Sequence, residues 1–262
     1  MIRYEALCAG YDGMETLHEL TFEIPKNRIT ALIGPNGCGK STLIKATAGI
    51  IRPMSGAIYL DGQAQSDIGR RDTATRIAYM PQSRPAPSIT VRQLVSHGRY
   101  PHLKWGHSMS AADREIVEEA MVRTDTLKFA RRTLVQLSGG ERQRAYLAMM
   151  LAQQTPVMLL DEPTTYLDLN GQFAMMNLLT QLRDSGHTIA IVLHDLALAL
   201  EYCDCAALMQ DGRLVQFGTP EDIFNSGALA EVFQIHVERT PGDRYLFSPA
   251  HHSVRTYHPA AR

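Results

Sequence analysis

Residues Gly34-Pro-Asn-Gly-Cys-Gly-Lys-Ser41 fill every fixed position of a G-x-x-x-x-G-K-[ST] loop. Thr30–Ile33 before it read as the end of a buried strand, and Thr42–Ala48 after it as the start of a helix. A glycine-rich turn in that setting is built to hold phosphate. Gly34, Gly37 and Gly39 lack Cβ atoms, so successive backbone N–H groups can turn inward around an anion. The helix beginning near Lys40 adds the positive end of its dipole, and the Lys40 ammonium can reach the β- and γ-phosphates. Ser41 offers a hydroxyl to Mg²⁺, while Pro35, Asn36, Cys38 and Thr42 complete the stretch around the phosphates. The loop implies a nucleoside triphosphate site.

With 262 residues, the chain has room for one large α/β domain carrying an inserted subdomain. A formal charge of −1 gives no electrostatic reason to expect nucleic acid or an anionic membrane surface. No apolar run approaches a membrane span, and Met1-Ile-Arg-Tyr-Glu5 lacks the basic-then-apolar layout of a signal peptide. Cys8, Cys38, Cys203 and Cys205 show no paired zinc spacing, which fits free thiols in a reducing, cytosolic compartment. Cys203-Asp-Cys205 is read as small apolar packing in preference to a metal clip.

Outward from the loop, Leu20, Phe22 and Ile24 alternate with polar residues as a half-buried strand does. Arg28–Ile33, Ala57–Leu60 and Arg76–Met80 are further strands, separated by turns such as Ser55-Gly56 and Asp61-Gly62. From about Ser83 to Gln154, after the Pro-rich stretch Pro81–Pro87, the pattern is helical, with Ser110-Ala-Ala-Asp113 opening one helix through about Thr124. Strands return at Val157–Leu160, Thr188–Leu193 and Ala206–Gln210, the first two separated by a helix over about Gly171–Arg183. This alternation predicts a largely parallel sheet with helices on both faces, interrupted by a helical insertion. After about Glu238 periodicity is lost, and His251, His252 and His258 sit in what reads as a solvated tail.

Three further groups carry chemistry. Val157-Met-Leu-Leu-Asp-Glu162 is an apolar strand ending in two carboxylates, which in an open α/β sheet would arrive beside the phosphate loop. Asp161 suits Mg²⁺ held through water, and Glu162 suits polarisation of an attacking water. Thr188–Leu193 ends in His194, placed to donate a hydrogen bond to a phosphate or to water. Leu137-Ser-Gly-Gly-Glu141 precedes the helical run Arg142–Ala152; Ser138 is a good N-cap and the glycines expose the first N–H groups.

In this order the motifs resemble the nucleotide-binding subunit of an ABC transporter, over about residues 2–235. On that resemblance Gly34–Ser41 is the Walker A loop, Val157–Asp161 the Walker B strand, and Glu162 the catalytic base. Ser138, Gly139 and Gly140 match the ABC signature, Gln82 the Q-loop glutamine, His194 the switch histidine and Asp168, in Thr164-Thr-Tyr-Leu-Asp168, the D-loop. Tyr11 stands where the family stacks an aromatic ring on adenine. One departure is Glu141, where glutamine is commoner.

The resemblance implies a P-loop NTPase (RecA-like) core at 1–82 and 155–238 with an antiparallel β subdomain. It adds a helical subdomain at about 83–154 and a tail at 239–262. It implies ATP and Mg²⁺ as cofactors, with Ser41, Gln82 and Asp161 around the metal. It also implies a head-to-tail homodimer enclosing two ATPs, polytopic permease subunits, an extracytoplasmic substrate-binding protein, and a place on the cytoplasmic face of the membrane. Thr90-Val-Arg-Gln-Leu-Val-Ser-His-Gly-Arg-Tyr-Pro101 and Arg142-Gln-Arg-Ala-Tyr-Leu-Ala148 resemble importers of ferric siderophores, haem and cobalamin, closest to the ferric-siderophore group. A soluble ABC-type switch for assembly or interaction is the alternative. A small-molecule kinase would leave Ser138–Gly140, Gln82 and His194 unexplained.

Overall fold

A computed structural model describes residues 1–83, 85–103, 107–240 and 244–250. The chain opens with β1 (Ile2–Tyr11), β2 (Met14–Ile24), β3 (Ile29–Ile33) and α1 (Lys40–Thr47). It continues through β4 (Ser55–Leu60), β5 (Gln63–Ala64), α2 (Arg70–Arg76) and β6 (Ile77–Met80). Helices α3 (Val91–His97), α4 (Ala111–Arg123) and α5 (Gly139–Ala152) follow, the only pairing among the described residues of this stretch being one bridge, Thr90 to Thr133. Then come β7 (Val157–Asp161), α6 (Leu169–Asp184), β8 (Thr188–Val192), α7 (Leu196–Tyr202), β9 (Cys205–Gln210) and β10 (Arg213–Gly218). The described chain closes with α8 (Pro220–Asn225), α9 (Ala228–Phe233), β11 (Ile235–Arg239) and β12 (Tyr245–Pro249).

Two sheets organise these elements. A four-stranded antiparallel sheet has the order β2-β1-β4-β5, and a six-stranded sheet the order β10-β9-β3-β8-β7-β6. Every pairing in the larger sheet is parallel except β9 with β10. Strands β3, β7 and β8 are buried at every residue, as a sheet covered on both faces requires.

Helices lie on both faces of this sheet, as expected, and one face carries the antiparallel sheet as well. Ile29, Ala31, Ile33, Leu160 and Ile191 pack with residues of α5, α6 and α7. Leu32, Leu159 and Val192 point the other way, onto Leu43 and Ile44 of α1 and onto Tyr4, Leu20 and Ile58 of the antiparallel sheet. The second face therefore has one helix and a sheet over it. Strand β1 was not legible because the chain turns left-handed at Ala6 (φ 44°). The register against β2 shifts between Tyr4 and Leu7, and a bulge breaks the period-two pattern that betrays a strand.

The expected tail from 239 also needs correction. Residues 235–239 pair antiparallel with 245–249, Val237 facing Phe247. Tyr245 is buried, with its ring 5.4 Å from that of Phe224 on α8. Each strand has only two or three inward residues, too few for periodicity to register, and the docking against α7 and α8 decides them. His251, His252 and His258 lie outside the described residues.

Candidate functional site

Lateral order makes the site. Strands β3, β8, β7 and β6 are consecutive neighbours running parallel, so their carboxyl ends share one edge. β3 leads into Gly34–Ser41, β8 into His194, β7 ends at Asp161 before Glu162, and β6 runs out to Gln82. That edge is where open α/β sheets bind ligands.

The loop is shaped by close approach. A Cβ on Gly34 (φ 148°) would stand 2.1 Å from the Met209 carbonyl oxygen, and one on Gly39 (φ 102°) 2.6 Å from Leu17 Cδ2. Both sites combine a left-handed backbone with no room for a side chain, so only glycine fits. The buried Lys40 ammonium donates to the carbonyls of Gly34 at 2.7 Å and Pro35 at 2.8 Å, and lies 3.6 Å from Cys38 Sγ. Carbonyl dipoles hold the charge centrally without neutralising it, leaving attraction for an anion. Asn36 and Gly37 are exposed, while Cys38, Gly39 and Thr42 are buried.

Ser41 Oγ donates to Asp161 Oδ1 at 2.9 Å, across 120 positions of sequence. A hydroxyl and a carboxylate side by side form an oxygen donor set suited to a hard cation such as Mg²⁺. Among the described residues no three His, Cys, Asp or Glu side chains cluster as a metal site. Such a cation would need further oxygen ligands beyond this pair, from a side-chain amide such as that of Gln82, from phosphate and from water.

Glu162 follows β7 with φ 52°, a left-handed position that turns its side chain out of the strand path. Its Oε1 lies 2.6 Å from His194 Nε2, and its Oε2 accepts from Thr165 Oγ1 at 3.2 Å. Burial pushes this carboxyl up, but hydrogen bonds from His194, Gln82 and Thr165 outweigh it and hold the group below its ordinary value. The carboxylate is thus ionised and able to accept a proton at neutral pH. Thr165 was not singled out from sequence; its place three residues past Glu162, in the turn before Asp168, was the available signal.

Two other predicted residues have local partners. Asp168 is the N-cap of α6, accepting from the Gly171 N–H at 2.8 Å. Tyr11 is half-exposed at the end of β1, with Lys45 Nζ 3.4 Å from its hydroxyl and 5.7 Å from its ring centroid. Lys45 lies one turn beyond Ser41 on α1, a spacing that could have flagged it.

Ser138–Gly140 stand at the start of α5, apart in sequence and element from the strand ends. Ser138 Oγ accepts from the Glu141 N–H at 3.3 Å, and Glu141 Oε2 accepts from the Ser138 N–H at 2.8 Å. Glu141 therefore closes a capping box, and the Ser138 N–H holds its carboxyl below the ordinary glutamate value. A Cβ on Gly140 would come within 2.9 Å of Leu167 Cδ2, so this helix start packs against the turn after Glu162. Gln82, Gly139, Arg142 and Tyr166 line a common cavity of about 390 Å³.

Comparison with known proteins gives the family. Residues 17–165 match the family described as ABC transporter. The petrobactin import ATP-binding protein FpuD of Bacillus anthracis is 42% identical over 234 residues, covering 88% of this chain and 86% of that protein. The ferric enterobactin transport ATP-binding protein FepC of Escherichia coli (strain K12) is 40% identical over 234 residues, with coverage of 88% and 86%. The dimeric structure of MJ0796, a bacterial ABC transporter cassette, superposes with a TM-score of 0.74 at 25% identity, covering 84% of this chain and 99% of that one. A match across more than half of the chain, spanning the strands that carry the phosphate loop and the carboxylate pair, places the protein in the ABC transporter family as one of its ATP-binding members.

Proposed function

We propose that this chain is the ATP-hydrolysing motor subunit of an importer of ferric siderophores, working at the cytoplasmic face of the membrane. The observation that carries the hydrolytic part is the edge formed by β3, β8, β7 and β6, which gathers Lys40, Ser41, Asp161, Glu162, His194 and Gln82. Relatives named for petrobactin and enterobactin, matched over most of their length, support the cargo.

In this reading the amides of Gly34–Thr42 and the Lys40 ammonium bind the phosphates, and Tyr11 stacks on the adenine. Ser41, Asp161 and Gln82 would hold Mg²⁺, which when bound would offset phosphate charge. Glu162 accepts the proton of the attacking water, so His194 must swing from Glu162 toward the γ-phosphate as ATP is bound. Ser138–Gly140 of a second copy close over the same phosphate, with Asp168 at the seam. Hydrolysis removes charge that both copies bind, and the pair reopens. Permease subunits turn that motion into transport of a chelate delivered by an extracytoplasmic binding protein. No helix among the described residues is long and apolar enough to cross a membrane, so the span must come from partners in this reading.

The test is uptake of radiolabelled ferric siderophore by cells lacking the gene, complemented with the wild type or with Lys40→Ala. Restoration by the wild type alone is expected. Uptake restored equally by both would overturn the proposal, as would co-purification with no polytopic membrane protein.

A further inference from the structure

The segment Thr90–Pro101 resembles siderophore importers, yet none of its residues lines the cavity shared by Gln82 and Gly139. Its last residues instead hold the far end of α5, the helix that begins at Ser138. Arg99 is 6% exposed. Its Nη1 donates to the Ala152 carbonyl and to Gln154 Oε1, both at 2.9 Å, and its Nε to Asp113 Oδ1 at 2.9 Å. His102 Nε2 lies 2.7 Å from the Gln153 carbonyl oxygen. A Cβ on Gly98 would sit 2.2 Å from the Met149 carbonyl oxygen, so α3 touches α5 backbone to backbone.

The same helix end is tied to the sheet. Gln153 Nε2 donates to the carbonyls of Ala74 at 2.6 Å and Ile77 at 3.1 Å, the last turn of α2 and the first residue of β6. From α2, Arg71 Nε donates to the Pro101 carbonyl at 3.0 Å, and its Nη2 reaches that of Leu103. The bonds form a closed ring through α2, β6, α5 and the turn after α3. A buried ion pair such as Arg99–Asp113 adds little stability over apolar packing. What directional bonds supply at this place is a defined angle.

That angle matters because of leverage. Helix α5 has 14 residues and so extends about 20 Å, and a tilt of about 5° at its carboxyl end moves Ser138 by roughly 2 Å. Hydrogen bonds tolerate about 0.5 Å. β6 leaves the same joint and ends next to Gln82. The geometry points to Gln153, with Arg99 and His102, as positioning residues that set α5 against β6 and so aim Ser138–Gly140 at the nucleotide held by a second copy. This rests on the two-copy reading above.

The experiment uses the full chain in a Glu162→Gln background, which traps ATP. Gln153→Met keeps the length and removes the donor; Gln153→Lys restores a donor. ATP affinity of the dilute monomer, Tm and ATP-driven dimerisation by sedimentation are measured. Gln153→Met should leave monomer affinity within about twofold and weaken dimerisation by roughly tenfold or more, the net worth of one to two hydrogen bonds. Gln153→Lys should recover most of it. Dimerisation unchanged by Gln153→Met overturns the inference. So does a loss that Gln153→Lys does not repair and that tracks falling Tm and monomer affinity. If Glu162→Gln alone binds ATP and stays monomeric, the two-copy reading fails and takes this one with it.

Discussion

The turns at Gly34–Ser41 and Leu137–Gly140 both open a helix with glycines beside a serine. The first is embedded in its own chain. Lys40 is 5% exposed and held by two carbonyls, and Ser41 already touches Asp161 from a neighbouring strand. The second has Ser138 and Gly139 exposed at the end of a helix, with a capping box and Leu167 beside them. One anion cradle is completed within the fold, whereas the other lies exposed at the surface. A chain with such a pair reads as one face of a clamp.

Substitutions can break this contrast. Lys40→Ala removes the buried cation from the complete cradle and should weaken ATP binding by roughly 10²-fold or more while abolishing hydrolysis, read by a fluorescent ATP analogue and by phosphate release. Glu162→Gln should cut kcat by roughly 10²–10⁴-fold with ATP affinity changed a few-fold at most; normal turnover would remove Glu162 from its assigned role. Gly139→Ala tests the open cradle. Its Cβ would meet Tyr166 at Cβ (3.5 Å) and the carbonyl oxygen (4.0 Å), both ordinary contacts, so the isolated chain should fold and bind ATP as before. Hydrolysis should nevertheless fall by at least ~10-fold because the second copy's phosphate is displaced.

The smallest effect is expected at Glu141. Gln at this position can still accept from the Ser138 N–H, so Glu141→Gln should cost under about 1 kcal/mol at neutral pH. The Glu141 carboxyl is held below its ordinary value by that N–H. Its stabilisation is therefore full above the ordinary glutamate range and is lost as pH falls below about 4. Thermal melts of both proteins from pH 7 to pH 3 should show the wild-type advantage disappearing on the acid side. An advantage that grew with acid would contradict the capping geometry.

Much of this site was readable before any fold was known, because its chemistry is local. Glycines at 34 and 39, a lysine and serine following, and carboxylates at the end of an apolar strand are each demanded by backbone geometry within a few residues. Glu141 was read only as a departure, although Ser138 followed three residues later by Glu141 carries the capping-box spacing in the sequence itself. The Glu162–His194 contact spans 32 positions and could not be inferred from either neighbourhood. Strand β1 hid behind its bulge at Ala6, and the hairpin of residues 235–249 was missed because its few apolar residues gain meaning only against α7 and α8.

Taken alone, then, the amino-acid order determined that the chain builds a phosphate-binding strand–loop–helix, a carboxylate-ended strand and a capped helix with an exposed glycine start. Sterics and hydrogen bonding between near neighbours suffice for each. Only the tertiary structure decided that β3, β8, β7 and β6 lie side by side, that an antiparallel sheet covers one face, and that α5 is anchored at Gln153 and Arg99. Those outcomes depend on which apolar faces can be buried together across the whole chain, a competition that no short stretch of sequence contains.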